Sequence, residues 1–434
     1  MRVISSFTNS QRFDSSTVDR SKPLSLFLLG TGGSAAVPVI SCITDPANAC
    51  ACCRDTMPGG TGAESKNKRG NTGAVLRIPQ LGGGEATILV DCGKTFREQA
   101  IKYFPLKGLR RIDALILTHH HADAVDGLDD LRAWTNKSAI EATIPVFCSQ
   151  TTYDAISAGF PYLMDKKASS GGGSLPSFRW HVLPEDRDWE ICGVKITPLP
   201  VHHGVYFNSV PRQPLICLGF LFDSSLLYMS DVSYIPEEVW SLLSRKLSLP
   251  SPTGTYSSSN RSSFLPRLQA LVVDVSGLCP GPSHFGLPQA IAASRRLGAR
   301  KTYFTDISHR HSHAFYLAFS LAFEHHSRSI EAEHRRFDNT TRPRRSPPPL
   351  WKVRREGEED VERGSFEHVY EGIDFKVEDV ELWRERALEA VEEYAGGVLP
   401  GSWTRPAVDG MTICWNQFGG EDSSSRRAWD DEYR

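Results

Sequence analysis

The run Ile112-Asp113-Ala114-Leu115-Ile116-Leu117 is short, apolar and β-prone, and it gives way at once to Thr118-His119-His120-His121-Ala122-Asp123. A run of that length and composition reads as a buried strand. The polar cluster therefore sits where a strand stops and a loop begins. Three histidines and an aspartate are costly to place there for packing alone. Alternate histidines with a carboxylate two residues on make a compact N/O donor set, suited to a borderline or hard divalent metal. The competing reading is a polar loop with surface histidines. Gly127 to Trp134, next in line, reads as a helix.

The rest of the chain has room for a large core around this strand. It has 434 residues, 40% hydrophobic and 23% charged, with a formal net charge of −2. That balance calls for neither nucleic acid nor an anionic membrane as partner. No apolar run approaches the ~18–20 residues of a membrane span. Met1 to Arg20 is polar and Ser/Thr-rich without an apolar segment, so no secretory signal is expected and a cytoplasmic protein is, with an organelle or the nucleus as the alternative. Under those conditions the ten cysteines are not a disulfide framework. Cys50-x-x-Cys53 has the spacing of a zinc knuckle. Cys42 is a candidate third thiolate and Cys52 an alternative one.

Taken in order, the strands expected are Leu24–Leu29, Asn71–Ile78, Ala86–Asp91, Ile112–Leu117, Ile144–Cys148, Arg179–Leu183, Val194–Leu199, Leu215–Phe222, Ser225–Met229, Ala270–Asp274, Thr302–Asp306 and a last one ending at Ile413. Helices are expected over Phe96–Phe104, Gly286–Leu297, Ala314–Phe323 and Val380–Tyr394. Gly30-Thr31-Gly32-Gly33-Ser34 is a glycine-rich turn. It lacks GxGxxG or Walker spacing, so a phosphate cradle and a tight turn beside a metal loop both remain open. Ser248 to Ser263 reads as a Ser/Pro/Gly loop. From Ser327 the chain becomes dense in Arg and Glu; its basic part, Arg342 to Arg355, reads as a solvated face.

One pattern recurs along these strands. Their ends carry metal-type side chains: Asp91, then His119, His121 and Asp123, then His202 or His203, then Asp231, then His309. A lone strand-end histidine is usually structural. Five such ends in succession converge in space if they leave one edge of a sheet, which is how a two-metal site is assembled.

In this order of motifs the sequence resembles the metallo-β-lactamase superfamily from about Leu24 to His326. Within it, the chain is most similar to the phosphodiesterases that open 5-phosphoribosyl 1,2-cyclic phosphate, and to fungal and plant hydrolases of that branch. The residues that carry the likeness are Gly30-Thr31-Gly32, Cys42 with Cys50-x-x-Cys53, Arg69-Gly70-Asn71-Thr72, Thr118-His119-x-His121-x-Asp123, Ser230-Asp231 and Ser283-His284-Phe285. The resemblance implies a four-layer αβ/βα sandwich, an α/β fold, with the site at one sheet edge. It implies metal ligands His119, His121, Asp123, His203, Asp231 and His309, with His202 the less favoured neighbour of His203. Asp91 would orient the loop, and His120 and His202 would stand behind the ligands. An accessory structural zinc would be held by Cys42, Cys50, Cys53 and His313, with His311 as substitute for the last.

The implied activity is metal-dependent hydrolysis of a small cyclic or nucleotide-like phosphodiester by a metal-bound hydroxide, with one or two Zn²⁺ or Mn²⁺ ions. Asp123 would orient the hydroxide. His284 would grip the phosphate or protonate the leaving oxygen, unless it is a surface histidine where a helix starts. Alternatives are a ribonuclease of the tRNA 3′-processing kind, a thioester or lactam hydrolase, and a non-catalytic metal-binding interaction protein. One departure stands out: the motif usually ends Asp-His, and this chain has Ala124. Nucleic acid is not favoured as a partner and no membrane is expected; a homodimer is compatible with the resemblance. The domain plan is a flexible tail (1–23), a catalytic domain (24–326), a charged, partly disordered insertion with one helix (327–400), and a last core strand with a tail (401–434).

Overall fold

The computed structural model describes residues 17–45, 47–249, 268–278, 280–334, 388, 391, 403–416 and 429–433. The expected Ser248–Ser263 loop, the basic Arg342–Arg355 stretch and the tail before Thr17 fall mostly or wholly outside these residues.

The chain first lays down β1 (Leu24–Gly30), β2 (Gly73–Pro79), β3 (Glu85–Val90), β4 (Ala114–Ile116), β5 (Ile144–Cys148) and β6 (Phe178–Val182). It then builds a second sheet from β7 (Trp189–Ile191), β8 (Val194–Val205), β9 (Pro214–Phe222), β10 (Leu226–Met229), β11 (Ala270–Asp274), β12 (Lys301–Thr305) and β13 (Trp403–Pro406). Finally β14 (Thr412–Trp415) and β15 (Trp429–Asp430) return to the first sheet. The sheet orders are β15-β14-β1-β2-β3-β4-β5-β6 and β13-β12-β11-β10-β9-β8-β7. Both are mixed: β1/β2 and β8/β9 are antiparallel, while β3/β4/β5 and β10/β11/β12 are parallel.

The strands read as continuous apolar runs because both of their faces are covered. Side chains alternate across a strand. In β1, Leu24, Leu26 and Leu28 enter the core between the sheets, while Phe27 and Leu29 pack outward against the helix Phe96–Lys107. In β10, Leu226 and Tyr228 face inward; Leu227 and Met229 meet the outer helices Glu237–Leu247, Leu287–Leu297 and His313–His334. Each such fully buried side chain stabilises by roughly 1.5–3 kcal/mol. The result is helix, sheet, sheet, helix: the α/β sandwich that the sequence implied.

Three expectations need correction. The last strand is two strands in different sheets. Trp403–Pro406 runs parallel to β12, and Thr412–Trp415 runs antiparallel to β1. Pro406 supplies no N–H to extend the ladder, and Gly410 turns with φ 94°, so the chain crosses from one sheet to the other. Gly127–Trp134 is not one helix: a 3₁₀ turn (Leu128–Leu131) leads into a short α-turn (Arg132–Thr135). The expected tail is pinned at its end, where Val18 is buried and bridges to Gln80. Of the expected helix Val380–Tyr394, only Leu388 and Val391 are described; both are helical and pack on the outer core of the second sheet.

Candidate metal centre

Backbone bonds between the sheets bring the strand ends together. Leu218 N of β9 donates to Thr118 O after β4 (2.9 Å), and Ile307 N after β12 donates to Thr31 O after β1 (3.0 Å). Asp91 after β3, the Thr118–Asp123 loop after β4, His203 in β8, Asp231 after β10, Asp274 at the end of β11 and Asp306 after β12 therefore share one edge. Two of these acids hold strained backbone, Asp91 at φ 60° and Asp306 at φ 58°. That left-handed region costs a non-glycine residue about 1–2 kcal/mol and is retained mostly at functional positions.

Three imidazoles form a triangle, with ring centroids 4.7 Å (His119–His121), 5.0 Å (His119–His203) and 5.0 Å (His121–His203) apart. Their tautomers follow from their partners. Asp91 accepts from Thr118 N and from Thr118 Oγ1, both at 2.8 Å; that hydroxyl then accepts from His119 Nδ1 at 2.8 Å. His119 Nε2 is left unprotonated, buried and without a partner. His203 Nδ1 donates to Ser283 O at 2.7 Å, which turns its Nε2 toward His121 Nδ1 at 3.2 Å and Asp231 Oδ1 at 4.0 Å. Burial pushes His119 well below the usual imidazole range and His121 down to about 4, aided by neighbouring histidines. Burial alone would raise Asp231, but His119, His203 and His284 hold it at about 2. His119 and His121 kept neutral beside an ionised carboxylate, with an orphaned buried Nε2, fit a divalent cation held by His119, His121, His203 and Asp231.

Not every expected residue joins them. His202 lies on the opposite face of β8 from His203, its ring against Tyr234 at 5.3 Å. The choice between these neighbours thus falls on His203, because alternate strand residues face opposite ways. His120 stacks parallel to Tyr206 at 6.4 Å. Asp123 belongs to no group of three donors within 4.8 Å of one another among the described residues. Burial, then Asp231, pushes its carboxyl up. Ala124 offers no donor and packs in the apolar cluster behind the loop.

His309 corrects the sequence reading. The residue at the end of β12 is Asp306; His309 lies three further on, past the turn, and leaves the sheet edge. Its Nδ1 is 3.5 Å from both Cys50 Sγ and Cys53 Sγ, and Cys42 completes the group. Backbone N–H groups of Cys50, Val39 and Cys53 point at Cys42, Cys53 and Cys50 sulfurs at 3.2, 3.4 and 3.3 Å. The Cys53 hydrogen bond pulls Cys50 down to about 3, while Cys50 in turn pushes Cys53 up. Two thiols this close do not both ionise without a cation. Three sulfurs and one imidazole are a tetrahedral zinc-type set. Cys52 stays in the local apolar cluster. His313 does not reach the cysteines; its Nε2 meets Tyr433 Oη at 3.1 Å with the rings stacked. All described cysteines are free.

Two acids were missed. His284 Nδ1 lies 2.9 Å from Asp274 Oδ2 and 3.0 Å from Asp306 Oδ2. Burial would lower His284, but the two carboxylates outweigh it and keep the ring protonated. The signal was present in the sequence, since Asp274 and Asp306 end buried strands just as Asp91 and Asp231 do. The glycine-rich turn serves this group: a Cβ on Gly33 would lie 2.9 Å from Asp306 Oδ1.

The profile of the beta-lactamase superfamily domain matches residues 86–307, half of the 434-residue chain. The chain belongs to that family. With the two-sheet sandwich, this makes it a protein of the metallo-β-lactamase fold, whose four-donor group could hold a divalent cation. An octanoyltransferase of Porphyromonas gingivalis is 30% identical over 213 residues, 49% of this chain. The chain spans about a third (35%) of that curated relative's length. Among solved structures, a diphosphatase from the PhnP family is 26% identical, with 66% of this chain and 87% of that one covered and a TM-score of 0.47. Zn²⁺-bound PqqB from Methylobacterium extorquens gives 15% identity, 66% and 89% coverage and a TM-score of 0.44. Human short-form tRNase Z gives 15%, 65%, 92% and 0.39. Among the described residues no helix is long and apolar enough to cross a membrane.

Proposed function

We propose that this chain is a metal-dependent phosphodiesterase acting on a small cyclic or nucleotide-like phosphodiester. The observation that carries the reading is the meeting of His119, His121, His203 and Asp231 with the carboxylate-held imidazole of His284 at one strand-end edge. A divalent cation held by the first four, zinc or manganese, would activate water near neutral pH and offset charge on a phosphoryl oxygen. The chain's own groups do the rest. Thr118 and Ser283 fix the His119 and His203 tautomers. Asp123, two residues beyond His121, orients the attacking water. His284 has Nδ1 committed to Asp274 and Asp306, so Nε2 is the nitrogen that donates to the departing oxygen. A fixed cationic ring suits an anionic phosphoryl group better than a neutral lactam or thioester carbonyl. The cysteine group with His309 holds a structural zinc that ties the Val37–Asp55 loop to the segment after β12.

A metal-loaded preparation assayed against bis-p-nitrophenyl phosphate, a cyclic ribose phosphate, RNA and a thioester tests this. Turnover of the first two, with little of the others, is expected. RNA cleaved far faster than either moves the protein to the nucleases. Thioester turnover alone refutes the phosphodiester reading.

A further inference from the structure

Two donor groups meet at the strand-end edge, and the chain treats them differently. In the first, His119 Nε2 is buried with nothing to bond. In the second, the carboxylates already have a partner inside the chain. His284 Nδ1 sits between Asp274 Oδ2 and Asp306 Oδ2, and Asp274 Oδ2 also accepts from Val232 N at 3.0 Å. The His284 ring lies against His203, centroids 4.8 Å apart at 73°. Donor atoms of His203, Asp231 and His284 all lie within 4.8 Å of one another. Paired cations in hydrolases sit about 3.5–4 Å apart. A second cation beside Asp231 would therefore need the space that the ring takes up.

The other donors for such a cation are absent or already engaged within the chain. Ala124 has none and packs into apolar surroundings. Asp123 stands off. Asp306 is held on the ring by its left-handed backbone, φ 58°, and by Gly33 flush against Oδ1. Asp274 Oδ1 is buried and unpartnered; Asp274, His284 and Asp306 do bring three donor atoms within 4.8 Å of one another, but there the imidazole Nδ1 already lies on both carboxylates.

We propose that the chain fills its own second position: Asp274 and Asp306 clamp the His284 ring there, and the active site holds one cation. Asp274 and Asp306 are positioning residues that act through His284. The inference rests on the metal-hydrolase reading of the first group, and a cation count separates the failure of one from the failure of the other.

The test is native mass spectrometry of the full chain purified with zinc. About two cations per chain are expected, one in the histidine–aspartate group and one in the cysteine group, and about one in the Cys50→Ser/Cys53→Ser variant. Three in the native chain, or two in the cysteine variant, would overturn the inference while leaving the metal-hydrolase reading intact. None in the cysteine variant removes both. Asp306→Ala is expected to keep the native count, and His284→Ala, which vacates the second position, to keep it or gain one cation; loss of a cation from either makes that residue a ligand and refutes the clamp. With the count unchanged, kcat should fall roughly 10²-fold in Asp306→Ala and return to within about 10-fold in Asp306→Asn, whose amide still accepts from Nδ1. Equal losses in the two variants contradict the clamp.

Discussion

The histidine–aspartate group and the cysteine group are both four-donor sets, but they stand on different supports. The first is carried by the ends of β4, β8 and β10, stitched across the sheets by backbone bonds and backed by two apolar cores. The second lies on a loop whose own apolar cluster is small: Val37, Cys52 and Cys53, with Val39, Cys42, Ile43 and Cys50 partly buried around them, while Ile40 is exposed. A site built on strands keeps its shape without its ion. A loop with so little core depends on its ion to fold. On the proposed reading, the difference gives chemistry to the first group and stability to the second.

Breaking the first group should have the largest effect. His203→Ala should cost roughly 10³-fold in kcat/KM, since several kcal/mol of charge stabilisation go with the cation. Its melting temperature should move little, and a large loss of stability would undo the contrast. Asp91→Asn, which disturbs only the Thr118–His119 relay, should weaken metal binding by roughly 10–100-fold, read by competition with a chromogenic chelator.

The cysteine group should answer the other way. Cys50→Ser/Cys53→Ser should lose a zinc and roughly 2–4 kcal/mol, about 5–10 °C in melting temperature, with activity per folded molecule largely kept. The two histidines after β12 sharpen this. His309→Ala should release a zinc. His313→Ala should keep it and lose only about 1 kcal/mol with the Tyr433 hydrogen bond. Zinc lost from His313→Ala instead would reverse the assignment.

The smallest effect lies outside both groups. Asp188 meets Lys246, Lys195 and Thr197; burial opposes its ionisation, but these partners hold its carboxyl at about 2. A carboxylate with a lowered native pKa adds stability above its unfolded value near 4 and loses it as pH falls through about 2. Asp188→Asn should therefore be less stable than the native chain at pH 7 and equal to it near pH 2, by denaturant midpoints.

Much of this was legible in the sequence. Apolar runs such as Ile112–Leu117 and Ala270–Asp274 marked the buried strands by pattern, while the sandwich and its site-bearing edge came from the resemblance those strands and their polar ends carry. The His119/His121 loop, His202 or His203, and Asp231 were read from residue type at strand ends, the resemblance favoured His203, and the structure brings His119, His121, His203 and Asp231 together. What escaped needed three dimensions. Whether Asp306 or His309 reaches the site depends on a three-residue turn, and spacing does not give its direction. Asp274 and Asp306 were single acids with no local partner; His284, which joins them, comes from another segment. Trp403–Pro406 and Thr412–Trp415 looked like one strand because pairing with β12 and β1, both far back in the chain, is invisible locally.

The most direct measurement is phosphodiester turnover by apo-protein as zinc or manganese is added back, run beside His121→Ala. Bis-p-nitrophenyl phosphate hydrolysis should rise in step with filling of the histidine–aspartate group and be absent in the variant at every metal concentration. A filled site that turns over no phosphodiester, or a His121→Ala protein that still does, would contradict the assignment of this edge as the catalytic centre.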